Sequence, residues 1–461
     1  MRLPIEIKPL NGGVPLRFFL TPEMMPDKQT VAQLEDLAQT QGLKHYVAVL
    51  PDIHRKHRNL SPTGTVIAAK DVIVPPAVDT GINCGMSMIR TDVDVSELTT
   101  PVLDSLFDEL MRTIPVLQHD HDIISPENVA DILAYGGKWS QIRFGLSDQE
   151  LDCIEDRATM PTDTTDVEAI LASMPAKAIK KGPRCFGTLG DGNHFLELQE
   201  IVDVFDRTIA KALGLFQGQA FIMLHTGSRS LGSKMMKAYL KELQDGFRAG
   251  QNGLPIWSMP ADSEEGIRYA RAVSAASNFG FANRIAIREK LRTAMRTVLH
   301  DQSLQMPLLY DCAHVSIKPE NCNGERLWVH RHGASRALPP SQFSDHPLFS
   351  KTGQPVPIPG SMGHHSFVGV ANEIALDTYC SVNHGAGRVL DKPEAAARFT
   401  GRQVESELRL KNIRLYRYGS GDIAEQAPSS FKDISQVIEA MYSLSLARPV
   451  VRLRPVAVLK G

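Results

Sequence analysis

Short apolar runs bounded by turn residues recur along the chain, at Tyr46 to Leu50, Thr65 to Ala69, Ala220 to Leu224, Pro307 to Tyr310 and Val450 to Leu459. Runs of that length predict strands with at least one buried face. Between them lie stretches of helical period. The clearest opens at Asp262-Ser263, puts Glu264 and Glu265 in its first turn, and repeats Ile267, Ala270, Val273, Phe281, Ile285 and Leu291 at roughly helical spacing. A capping hydroxyl or carboxylate followed by acids matches the orphan N–H groups and the positive dipole end of a helix start. Further helices are expected near residues 101–113, 233–247, 393–411 and 433–445. Strands and helices mixed without regular βαβ alternation predict an α+β architecture.

Gly and Pro punctuate the whole chain instead of clustering at one boundary, and no internal repeat or long linker interrupts it. This favours one elaborated domain over residues 1–461. The segments 114–182 and 338–355 are richer in Asp, Pro, Ser and Thr than their surroundings and read as peripheral insertions or lids. With 43% hydrophobic and 22% charged residues in 461, the chain can bury a sizeable core, which excludes disorder and fibre. Lys plus Arg is 50 against 52 Asp plus Glu, so no global basic field exists and any polyanion site must be a local patch. The six Cys form no CxxC pair, which points to a reducing compartment. No apolar run approaches the ~20 residues of a membrane span, and the first twenty residues are broken by Pro4, Pro9, Gly12, Gly13 and Pro15. A cytoplasmic protein is expected.

Candidate chemistry is concentrated in Gly-rich, turn-forming contexts. They hold Cys84 in INCGM, His194 in GTLGDGNHFLEL, His225 in MLHTGSRSLG, His314 in DCAHVS and His384 in VNHGAGR. Thiolate and imidazole are ligands of divalent transition metals, and neighbouring glycines let backbone approach a bound group closely. Any one of these histidines alone reads as a hydrogen-bonded structural residue; four together with a Cys favour a metal centre. PGSMGHHS, from Pro359 to Ser366, and NHGAGR, from Asn383 to Arg388, supply hydroxyls, backbone amides and a cation suited to phosphate, although neither fits a Walker or GxGxxG pattern. Local cationic patches stand at His54-Arg55-Lys56-His57-Arg58 and at Lys180, Lys181 and Arg184, with Arg229, Arg284 and Arg336 as scattered additions; such runs are usually solvated faces.

In order and separation, PPAV with INCGM, GTLGDGNHF, LHTGSR, HRHGASRA, IPGSMG, HGAGR and the final KG resemble the RtcB family of RNA ligases, from LPDIH at Leu50 to Gly461. The resemblance implies a single large catalytic domain, GTP as co-substrate and two Mn(II) ions. Cys84 would be shared by both ions, His225 and His314 would complete one, and His194 would serve the other. His384 would be the nucleophile that becomes guanylylated before GMP passes to an RNA 3′-phosphate or 2′,3′-cyclic phosphate end and a 5′-hydroxyl end is joined. The guanylate pocket would include Asn193, Phe195, Glu197 and Lys460, the loop Pro359, Gly360, Ser361, Met362 and Ser366, and Gly385, Ala386 and Gly387. Phe431 would stack on the base.

Departures from the family pattern open alternatives. The aspartate expected three residues before the cysteine is Gly81, and Asp79 or Asn83 could substitute for it. Val315, His332 and the loop PDIHRKHRNLSPTG replace polar groups expected near substrate. A metal-dependent phosphoesterase on RNA ends, or an RNA- or GTP-binding protein without turnover, are the competing readings. On ligand softness a thiolate with three imidazoles suits zinc, so zinc is expected to bind and only the resemblance implies manganese.

Overall fold

The computed structural model describes residues 4–9, 12–56, 59–116, 124–243, 248–249, 255–343, 346–419 and 423–461. Each of the five apolar runs forms or overlaps a strand: Leu43–His54, Thr63–Ala69, Gln219–Thr226, Leu308–Ala313 and Ala447–Lys460. They belong to two large sheets. One has six strands in the order Ile5–Ile7, Leu16–Phe18, Leu43–His54, Thr63–Ala69, Glu325–His332 and Val315–Cys322. The other runs Leu308–Ala313, Gly85–Asp94, Gln219–Thr226, Phe195–Val204, Ala447–Lys460, Ser366–Ala371 and Pro355–Ile358, with Arg414–Arg417 pairing parallel to the end of Ala447–Lys460. A short ladder of Ala334–Arg336 with Ser381–Asn383 is a separate pairing. Helices and mixed sheets together make the fold α+β.

The helix read from Asp262-Ser263 spans Glu264–Val298, with Ser263 as N-cap accepting the Gly266 N–H. It is buried on every side from Ala272 to Arg288, because the helices of segment 114–182 cover it on one side and the second sheet on the other. Among them Pro126–Tyr135 sends Val129, Ile132 and Leu133 into the same cluster as Phe279 and Ala282. Segment 114–182 is thus packed in place, apart from 117–123, which lie outside the described residues. Glu155 and Asp156 also enter a buried network of charges with Lys318 and Arg336, while Arg331 pairs with Glu320. In segment 338–355, Phe349 packs on Tyr310; 344–345 lie outside the described residues.

The other expected helices are Thr100–Thr113, Arg229–Glu242 and Ile434–Ser443; residues 244–247 lie outside the described set. The stretch 393–411 is two helices, not one. Lys392–Arg398 stops, and Thr400 then caps Gly401–Leu410 through a reciprocal bond with Gln403. The local capping energy of Thr400 overrides the continuous period. No helix among the described residues is long and apolar enough to cross a membrane.

Candidate active site

One end of the second sheet collects most of the candidate residues. Adjacent strands pair Ala313 with Gly85, Gly85 with Thr226, His225 with Phe195, and Phe195 with Lys460. Cys84, His194 and His314 flank those paired positions, so four strands deliver one thiol and three imidazoles to one place. Cys84 Sγ lies 3.2 Å from His225 Nε2 and 3.4 Å from His194 Nε2, and His225 Nε2 lies 3.2 Å from His314 Nε2. Ligand atoms of Cys84, His194 and His225 all fall within 4.8 Å of one another.

The protonation states suit a cation. Burial holds His194 and His314 well below the usual imidazole range and takes His225 to about 3, so all three rings are neutral. Nδ1–H of His225 donates to the Asn193 carbonyl at 3.1 Å, which leaves the Nε2 lone pair facing Cys84 and His314. Burial also pushes the Cys84 thiol up to about 12, against the pull of Arg284, so a bound cation must displace its proton. Neutral imidazoles with a displaceable thiol proton fit a divalent transition metal.

No carboxylate joins them among the described residues. Gly81 has no side chain, and neither candidate substitute is free. Despite burial, Asp79 is held at about 2 by the Lys56 ammonium at 2.7 Å and by His332, and accepts the Thr80 N–H. The Asn83 amide oxygen accepts from Arg284.

His384 enters from the short ladder, and the first sheet supplies its partner. His384 Nδ1 lies 2.6 Å from Asp52 Oδ2, an oxygen that also accepts the His384 backbone N–H at 3.2 Å. A carboxylate can only accept, so Nδ1 carries a proton, and in the neutral ring the lone pair is therefore on Nε2. The ring centroid of His384 is 4.9 Å from that of His314. Gly387 lets this loop lie on Asp52: its φ is +75°, and a Cβ there would fall 2.3 Å from the Asp52 carbonyl oxygen. Asp52 is a site residue that the local sequence pattern does not single out, although it sits inside the LPDIH motif.

Cys84, His194, His225, His314 and His384 line one cleft of about 1590 Å³, joined by Asn193, Phe195, Glu197 and Lys460 and by Pro359, Gly360, Ser361, Met362, Ser366, Gly385, Ala386 and Gly387. Burial raises Glu197 to about 7, and lowers Lys460 to about 7 although Glu197 pulls it up. Gln199 donates to both Glu197 and Ser366, and Lys460 donates to the Gly192 carbonyl at 2.9 Å. Phe431 also lines the cleft, but the Arg388 guanidinium covers its ring at 4.6 Å.

The cationic candidates divide. His54, Arg55, Lys56 and Arg229 line the cleft; Lys180, Lys181 and Arg184 do not, and His57 and Arg58 lie outside the described residues. Arg284 and Arg336, expected as scattered additions to the cationic patches, are instead core residues: Arg284 pairs with Asp311 and Arg336 with Asp156.

An α+β fold whose cleft gathers a thiol and three imidazoles beside a carboxylate-held histidine has the donor set of an enzyme active site. The family model described as tRNA-splicing ligase RtcB matches residues 33–461, and the chain belongs to the RtcB family of RNA ligases. It is similar to the tRNA-splicing ligase RtcB of Thermococcus kodakarensis, 34% identical over 95% of this chain and 92% of that protein. The proteins of that name from Aeropyrum pernix, 34% identical over 96% and 93%, and Pyrobaculum aerophilum, 32% identical over 100% and 97%, are similar too.

Proposed function

We propose that this enzyme is a GTP- and Mn(II)-dependent RNA ligase that joins RNA 3′-phosphate or 2′,3′-cyclic phosphate ends to 5′-hydroxyl ends, in RNA repair or tRNA splicing. The observation that carries the reading is His384, its Nδ1 proton committed to Asp52, lining one cleft with Cys84, His194, His225 and His314. A neutral imidazole with a free Nε2 is a competent nucleophile toward the α-phosphate of GTP, with pyrophosphate leaving. Asp52 stabilises the ring as it gains positive charge. The phosphoramidate then gives GMP to an RNA 3′-phosphate, and attack by a 5′-hydroxyl releases GMP. Cys84, His225 and His314 would hold a divalent ion, which would supply charge neutralisation at the phosphates. Glu197, Ser366 and Lys460 present a polar pocket edge for the base, and the loops Pro359–Met362 and Gly385–Gly387 offer backbone groups beside it.

The sheet end that carries the cluster has no carboxylate at Gly81, and this favours a second reading, a metal-dependent phosphoesterase acting on RNA ends. Six free thiols accord with a cytoplasmic, reducing location. The decisive experiment is incubation with α-labelled GTP and Mn(II). Covalent label on the wild type and none on His384→Ala is expected. Phosphate release from a cyclic-phosphate end without GTP, and without adduct, would establish the second reading instead.

A further inference from the structure

We propose that Arg284, which reaches neither cleft nor substrate, is the positioning residue that sets the spacing of Cys84, His225 and His314 and thereby the strength of metal binding. The proposal rests on the reading of those three residues as metal ligands.

Arg284 is fully buried in the middle of the long helix, and all five of its N–H groups find acceptors. Nη1 donates to the Asn83 carbonyl at 2.8 Å and to the Thr226 carbonyl at 3.1 Å. Nη2 donates to Asn83 Oδ1 at 3.0 Å and to Asp311 Oδ1 at 2.8 Å, and Nε donates to the Asp311 carboxylate at 3.0 Å. Asn83 precedes Cys84, Thr226 follows His225, and Asp311 lies in the strand that ends one residue before His314. A single planar cation therefore ties together three segments that are remote in sequence and carry one ligand each.

The fit leaves little freedom. Asn83 holds a φ of +55°, a left-handed conformation that asparagine tolerates, and Arg284 bonds both its carbonyl and its amide oxygen. A Cβ on Gly280, one helical turn before Arg284, would stand 2.6 Å from Asn83 Oδ1. One on Gly85 would meet the guanidinium carbon at 3.1 Å, and one on Gly227 would meet Cys84 Cα at 2.7 Å. Lysine cannot reproduce the planar fork that reaches all three segments at once. Outer residues that orient ligands in this way commonly govern affinity by 10- to 100-fold.

The test titrates full-length, chelator-stripped protein with Co(II) alone, reading affinity and the thiolate and ligand-field absorption bands, beside circular dichroism and thermal unfolding. Arg284→Lys is expected to stay folded and bind Co(II) about 10- to 100-fold more weakly with altered bands. The double variant Arg284→Met with Asp311→Leu, which leaves no unpaired buried charge, should show the same loss. A merely structural brace would lower the thermal midpoint and leave affinity and bands unchanged; either folded variant behaving so overturns the proposal. Wild-type protein that binds no Co(II) would overturn the metal reading along with it, a distinct outcome from wild type and variants binding alike.

Discussion

At the scale of single residues, the Asp52 carboxylate fixes a proton on Nδ1 of His384. In Asp52→Asn the new amide can donate to Nδ1, which shifts the ring proton to Nε2 and removes the lone pair that would attack phosphorus. Formation of the labelled GMP adduct, followed by rapid quench, should slow by about 10²- to 10⁴-fold; an unchanged rate would remove Asp52 from the chemistry. Glu197 carries a pH signature. Burial raises it from an ordinary 4.5 to about 7, so the folded state holds a proton that the unfolded chain gives up. Stability from that proton is complete below pH 4.5 and is lost as pH rises through 7. Against Glu197→Gln, which cannot ionise, the wild type should lose about 3 kcal/mol across that window and keep a constant difference above it. Urea unfolding of both proteins from pH 4.5 to 8 measures it, and a flat difference contradicts the assignment.

At the scale of elements, the long helix Glu264–Val298 is both the spine of the core and the outer wall of the Cys–His cluster. Gly280 sits where that helix touches the loop before Cys84, so Gly280→Ala must move the helix or Asn83. Overpacking of this kind should cost about 1–3 kcal/mol in denaturant unfolding, with metal retention reduced in step. Wild-type stability would mean the contact is loose. The helix start and the strands were legible because caps and apolar runs are local signals. The break at Thr400 was not, since a helical period runs on across it and only the capping geometry stops it. Likewise the cluster could be read from Cys and His in Gly-rich turns, whereas the inward role of Arg284 could not. Its partners Asn83, Thr226 and Asp311 lie 201, 58 and 27 residues away, and nothing in the local pattern separates a buried arginine from a solvated one.

At the scale of the whole molecule, the near-balanced charge of -2 comes from nearly equal numbers of acids and bases, and pairing between them extends into the cleft. Lys56 is tied to Asp79, Lys392 stands 3.7 Å from Glu425, Lys432 donates to the carbonyls of Pro51 and Ile53, and Arg229 donates to His194. Arg336, Lys318 and Arg331 are consumed by Glu155, Asp156 and Glu320 in the core. Several cations that line the cleft are thus already engaged by protein groups, and the expectation is that RNA ends are gripped at the cleft by the few that remain. Each neutralised phosphate of a single strand contributes about -0.7 to the slope of log affinity against log salt. With roughly two to four phosphates held, a 3′-phosphorylated single-stranded RNA should show a slope between about -1.5 and -3 by fluorescence anisotropy from about 50 to 200 mM salt. A slope steeper than about -5 would require a basic binding track beyond the cleft, and would refute the view that the few cations lining it carry the electrostatic share of RNA binding.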